Sequence, residues 1–349
     1  MKKIMAALLS GVLLLFGLAS EGCAKREETT IRYLRVGVVE YNANDTFISE
    51  LVSCLKEDFR DLQREDFNIS VTVKDAAGSQ RTENTCVEEL IDGGCDVLCV
   101  NLVDRATTST IIDLATEHNV PIVFFNREPV REDLMQWDRL YYVGSDPTQS
   151  GEMQGELAAD LIRSDSSVDR NKDGKIQFVL LEGEPGHQDA IVRTETSVST
   201  IRGSGIELEK LSYSIANWNR AQALTRMSQL ITQYGSSIEL VLANNDDMAL
   251  GAIDAYDRKN ITEADRPAVF GTDGTKEGLS AIEDGTMAGT VYNDKEGQAL
   301  AMAKLAVAVA EGADLSSFNF TDGRYLYLPY QKVTTENVAT FRAKQQGEN

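Results

Sequence analysis

From Arg32 onward the sequence alternates short apolar runs with amphipathic windows almost without interruption, and that alternation leaves few folds open. The apolar runs lie at 34–39, 69–73, 97–102, 121–125, 176–181, 239–243, 268–270 and 288–292. Helical windows separate them at 47–64, 107–118, 153–163, 221–234, 248–257 and 299–311. Runs too apolar for one-sided burial, divided by helices, form parallel sheets covered on both faces. The fold class is therefore α/β and doubly wound. About eight such strands over roughly 300 residues exceed one compact sheet, so the pattern predicts two.

In sheets of this kind, ligands collect beyond the carboxyl ends of the strands. The polar residues just past the runs are Asn42, Asn44, Asp45 and Phe47, then Asn126, Arg127 and Glu128. In the second half they are His187 and Asp189, Asn244, Asn245, Asp246 and Asp247, Asp273, and Asn293 and Asp294. Amides, carboxylates, an Arg and an imidazole supply the donors and acceptors that a neutral polyhydroxylated ligand needs. Trp218, between Asn217 and Asn219, falls after an apolar run has ended, where its ring would face a loop and could pack on sugar C–H groups.

Asp169-Arg170-Asn171-Lys172-Asp173-Gly174-Lys175-Ile176-Gln177 matches the first nine positions of a calcium loop of the EF-hand type. Oxygen-bearing side chains stand at positions 1, 3, 5 and 9, and Lys175 at position 7 needs only its carbonyl. The Glu of position 12 is replaced by a strand, so a bidentate carboxylate must come from elsewhere. Glu239, opening another strand of the same half, is the candidate.

Composition removes several function classes. A formal charge of -21 repels nucleic acid and anionic lipid. GxSxG, Walker, GxGxxG and HExxH patterns are absent, and only two His are present, so the sequence predicts a binding protein with no catalytic residues. Cys54, Cys86, Cys95 and Cys99 lack zinc spacing and read as free thiols. Lys2 and Lys3 precede an uncharged apolar run over 4–18, too short to span a bilayer, which reads as an export signal over 1–22. With Cys23 and the polar tether at 23–31, it resembles a bacterial lipoprotein leader, which implies a lipid anchor at Cys23.

Asp45-Thr46-Phe47, Val123-Phe124-Phe125-Asn126-Arg127-Glu128-Pro129, the loop from Asp169 to Gln177, Leu181-Glu182-Gly183-Glu184-Pro185-Gly186-His187-Gln188-Asp189 and Ala243-Asn244-Asn245-Asp246 together resemble one family. They are similar to the bacterial D-galactose/D-glucose-binding proteins, type I periplasmic binding proteins that serve ABC importers, from about Arg32 to Arg342. The resemblance implies a sugar held between Phe47 and Trp218. Hydrogen bonds would come from Asp45, Asn126, His187, Asp189, Arg193, Asn245, Asp273 and Asn293. It also implies calcium bound by Asp169, Asn171, Asp173, the Lys175 carbonyl, Gln177 and Glu239. Two doubly wound lobes joined by a three-stranded hinge follow from it as well, one over 32–144 plus 294–328 and the other over 145–293 plus 329–349. The implied partners of this monomer are D-galactose or D-glucose and the membrane subunits of an ABC transporter. The alternative is a sugar sensor that reports to a chemoreceptor or a membrane kinase.

Overall fold

The chain opens with five strands: β1 (Arg32–Glu40), β2 (Phe67–Asp75), β3 (Val97–Val100), β4 (Ile122–Phe125) and β5 (Leu140–Gly144). Between them lie α1 (Thr46–Asp61), α2 (Gln80–Asp92), α3 (Ser109–Glu117) and the single turn α4 (Arg131–Leu134). This computed structural model describes residues 31–345; the export signal, Cys23 and most of the tether lie outside the described residues.

A second run follows as α5 (Pro147–Ser164), β6 (Ile176–Glu182), α6 (Gln188–Gly203), β7 (Leu208–Ile215), α7 (Arg220–Tyr234), β8 (Leu240–Ala243), α8 (Asp246–Arg258), β9 (Ala268–Phe270), α9 (Lys276–Glu283) and β10 (Thr290–Tyr292). The chain ends with α10 (Lys295–Glu311), β11 (Tyr325–Tyr327), β12 (Gln331–Val333) and α11 (Val338–Gln345).

Two parallel sheets result, in the orders β11-β5-β4-β3-β1-β2 and β7-β6-β8-β9. β10 pairs antiparallel with β12, and the parallel bridges Phe270 to Gly289 and Asp273 to Tyr292 join β10 to the β9 side of the second sheet.

Alternating side chains of each central strand enter different cores. Val36, Val38, Val97, Cys99, Val123 and Phe125 pack on one face of the first sheet, under α1 and α10. Val39, Leu98, Val100, Ile122 and Phe124 pack on the other, under α2 and α3. Truncating Phe124, which is fully buried, to Ala would cost about 3–5 kcal/mol. The second sheet is covered in the same way.

Four strands depart from the predicted set. β7 is an edge strand whose Glu209, Lys210, Tyr213 and Ile215 face solvent, so it lacks a continuous apolar run. β5 reads as a short tyrosine-rich stretch but is buried throughout, because β11 and β4 flank it. β11 and β12 are three residues each and gain strand geometry only from distant partners.

The chain passes between the two sheets three times: from β5 to α5, from β10 to α10, and from β11 to β12. Ser145 Oγ donates to Asn293 Oδ1 at 3.2 Å, which ties the first crossing to the second. Among the described residues all four thiols are free; Cys86, Cys95 and Cys99 are buried, and burial pushes Cys95 and Cys99 up to about 12, where they stay protonated.

Candidate functional site

The loops leaving the strand ends of both sheets meet around a partly open cavity. Of the ten residues expected at a sugar site, nine line it: Asp45, Phe47, Asn126, His187, Asp189, Arg193, Trp218, Asn245 and Asp273. Asn293 does not. It is 2% exposed and lies in the hinge, where Oδ1 accepts from Ser145 Oγ and from Gln298 Nε2 at 2.6 Å. Tyr41, Ile48 and Arg127 complete the wall.

Helix caps set several of these side chains. Asp45 caps α1, and its Oδ1 accepts from Ile48 N at 3.0 Å while Oδ2 accepts from the Tyr41 hydroxyl at 2.6 Å. Asn245 caps α8 through Oδ1 at 3.0 Å from Met248 N, and its amide nitrogen donates to the Trp218 carbonyl at 3.2 Å. A strand that ends where a helix begins needs a polar cap, and here each cap also faces the cavity.

His187 caps α6 through the ring, Nδ1 accepting from Asp189 N at 3.1 Å. That bond leaves Nε2 to carry the proton and to donate into the cavity. Burial, followed by the charges of Arg127, Arg193 and Arg105, holds the imidazole well below its ordinary range, so it is neutral at pH 7.

Arg193, 4% exposed, organises the second-lobe wall from α6. It donates to Asn244 O at 2.8 Å, Ser150 Oγ at 3.2 Å and the Tyr330 hydroxyl at 3.0 Å, and lies 3.4 Å from Asp189 and 3.7 Å from Asp273. Burial raises both carboxyls and Arg193 opposes it; Asp273 nonetheless stands well above the usual range. Both carboxyls thus share the Arg193 guanidinium at the cavity wall.

Three lining residues hold left-handed backbone: Asn126 (φ 58°), Trp218 (φ 61°) and Asp273 (φ 117°). Asn and Asp tolerate this region, whereas Trp218 needs support. Its carbonyl is bonded by Asn245, its ring meets the His187 edge at 5.1 Å, and it lies over Gly183, where an added Cβ would come within 2.1 Å of the indole. Gly183 is thus the space in which the indole sits.

Arg127, one of the polar residues expected past the fourth strand though not among the sugar ligands that the resemblance implies, also lines the cavity. It is 5% exposed, stacks 3.7 Å from the Tyr41 ring centroid and donates to Val103 O at 2.7 Å. Those partners are distant in sequence, so its orientation was not legible there.

Away from the cavity, the 169–177 loop has the oxygen donors of a calcium site. Asp169 accepts from Asp173 N and Gly174 N at 3.2 and 3.0 Å, and Asp173 Oδ2 accepts from Asn171 Nδ2 at 3.1 Å and Gln177 Nε2 at 2.9 Å. Glu239 reaches over the loop from the start of β8, Oε1 accepting from Arg170 N at 2.7 Å and Oε2 from Gln177 N at 3.1 Å. Turning the Asn171 and Gln177 amides by half a revolution exchanges nitrogen for oxygen toward Asp173. Among the described residues, no three His, Cys, Asp or Glu side chains converge on a metal position, so an ion here would rest on amide and carbonyl oxygens as much as on carboxylates. The donor set fits a hard cation.

Comparison with known proteins places the architecture. The periplasmic binding protein domain matches residues 36–314. The chain is 35% identical over 311 residues to the D-galactose/methyl-galactoside binding periplasmic protein of Haemophilus influenzae, covering 88% of this chain and 91% of that one. It is 30% identical over 236 residues to the ribose import binding protein of Bacillus subtilis, covering 65% and 67%. Its structure is similar to that of an ABC transporter solute binding protein from Bacillus halodurans with bound myo-inositol, with a TM-score of 0.74, 28% identity, and coverage of 91% of this chain and 99% of that one. The chain belongs to the periplasmic binding protein family, whose members bind solutes and are not enzymes.

Proposed function

We propose that this exported sugar receptor of an ABC importer binds D-galactose and D-glucose in the cavity between its lobes. The observation that carries the reading is the cavity wall itself: Asp45, Asp189 and Asp273 as acceptors, Arg193 and neutral His187 as donors, and Phe47 and Trp218 as apolar surfaces. A pyranose presents hydroxyls that donate one hydrogen bond and accept two, alongside C–H faces suited to aromatic rings. Because partners come from both sheets, only the closed arrangement satisfies the sugar, so binding stabilises closure, the state a transporter can recognise. The likeness to a galactose-binding relative supports a hexose over a pentose.

Calcium held by Asp169, Asn171, Asp173, Lys175 O, Gln177 and Glu239 belongs to the same proposal as a structural ion, since the loop contributes nothing to the cavity. A lipid anchor at Cys23 belongs to it as well, and radiolabelled palmitate incorporated by the wild type but not by Cys23→Ser would support the anchor.

Calorimetric titration of protein unfolded, stripped and refolded tests the central reading. Galactose and glucose should bind at micromolar concentration or tighter, with ribose and arabinose far weaker; absence of binding by both hexoses sinks it.

A further inference from the structure

A second, roomier recess adjoins the sugar cavity and shares Arg127, His187 and Asp189 with it. Its remaining wall includes Arg105 and Glu128 from the first lobe and Glu184 and Gln188 from the second. None of these four lines the sugar cavity. We infer that this recess is a subsite for a polyhydroxylated group joined glycosidically to the bound hexose, so that the receptor takes oligosaccharides as well as free sugars. The inference rests on the hexose reading above.

Three features of the recess carry it. First, the residues common to both chambers are donors and acceptors that would hold a sugar hydroxyl at the boundary. Replacing the hydrogen of that hydroxyl by a substituent directs the substituent into the recess, with no need to reshape the first chamber.

Second, polar groups in the recess await partners. Gln188 Oε1 is buried and has no hydrogen-bond partner among the described residues. Arg105 is fixed by Nε, which donates to Glu128 O at 2.7 Å, and this leaves the two terminal nitrogens of its fork to serve a ligand. Tyr327 OH donates to Glu128 Oε2 at 3.0 Å and holds that carboxylate in place. A buried polar atom left unpaired is costly, and hydroxyls would relieve the cost.

Third, the charges select the class of ligand. Four carboxylates, Asp104, Glu128, Glu184 and Asp189, outnumber the two guanidiniums of Arg105 and Arg127, of which Arg127 lies 3.0 Å from Glu184, so an anionic substituent is repelled. The recess has no Phe, Tyr or Trp in its wall, so an apolar aglycone finds no stacking surface. A neutral, hydroxyl-rich group fits both conditions.

The test is calorimetry with galactose, lactose and melibiose, the last two carrying galactose in β and α linkage, on wild type and Arg105→Ala. At least one disaccharide should bind the wild type, and Arg105→Ala should weaken that disaccharide about tenfold, the loss expected for one hydrogen bond to a charged group, with galactose unchanged. Galactose binding with neither disaccharide bound overturns the subsite and leaves the hexose reading standing. Equal weakening of galactose and disaccharide in Arg105→Ala also overturns it, since that would mark a general disturbance of the cleft. Failure of all three sugars on the wild type would instead remove the hexose reading, and the subsite with it.

Discussion

Arg127 Nη2 and Glu184 Oε2 stand 3.0 Å apart, an ion pair between the loop after β4 in one lobe and the loop after β6 in the other. The guanidinium is 6% exposed and the carboxylate 35%, so the pair is only partly screened by water. Thr46 Oγ1 donates to Asp247 Oδ2 at 2.7 Å and Lys276 N to Glu50 Oε1 at 3.1 Å, two further bonds between the lobes that no sugar takes part in.

Glu184→Gln should therefore favour the open arrangement. Small-angle scattering on ligand-free protein is expected to give a larger radius of gyration for the variant, and hexose affinity should fall roughly threefold to tenfold, about 1 kcal/mol. Identical scattering and affinity would show that the pair does not hold the lobes together.

Gly183→Ala tests the indole's seat. The new methyl would overlap the Trp218 ring, so the ring must leave. Hexose affinity is expected to drop by about tenfold or more, the scale of a lost aromatic contact, with a shifted tryptophan emission. Unchanged emission and affinity would place the indole elsewhere.

Asp45→Asn separates two roles of one residue. Asn caps helices as well as Asp does, so α1 should persist and the melting temperature should move little. The charged acceptor is lost, and both hexoses should weaken by about tenfold. Asp45→Ala, by contrast, should lower stability as well, by about 0.5–2 kcal/mol.

Chelation tests the ion. A chelator should lower the melting temperature of the wild type, and Glu239→Gln should reduce that dependence while leaving hexose affinity intact, since the loop lies outside the cavity. A melting temperature indifferent to calcium and chelator would count against the site.

The stability contributed by Asp246 and Glu83 should fall as pH rises from about 4 to 7. Burial raises Asp246 from 3.8 to about 7 and Glu83 from 4.5 to about 7. The native state then holds protons that the unfolded state releases above about 4, so the contribution is fully present below the unfolded pKa and is lost as pH climbs through 7. Glu83→Gln should flatten the slope of unfolding free energy against pH; an unaltered slope would mean that Glu83 is ionised throughout.

How much was legible in sequence follows from how local each signal is. β3 and β4 are buried on both faces and their runs announce it. α6 was not read as a helix, because its buried face carries Arg193, Thr194 and Ser197, polar side chains whose partners are tertiary. Asp45, His187 and Asn245 were readable since a cap at a strand-to-helix junction is a local requirement. Asn293 met the same positional rule, yet its carbonyl oxygen is taken up by Ser145 and Gln298 in the hinge, a distinction only the assembled crossings make.

The three crossings also govern when the molecule can fold. α10 covers the face formed by Val36, Val38, Val97 and Val123, and β11 supplies the edge partner of β5. Those pieces lie in the last sixth of the chain, so the first 290 residues do not complete their own first core. Until they arrive, that apolar face of the first sheet has no helix to cover it. The first lobe's core is therefore completed only by residues 295–327, which come from the far end of the chain.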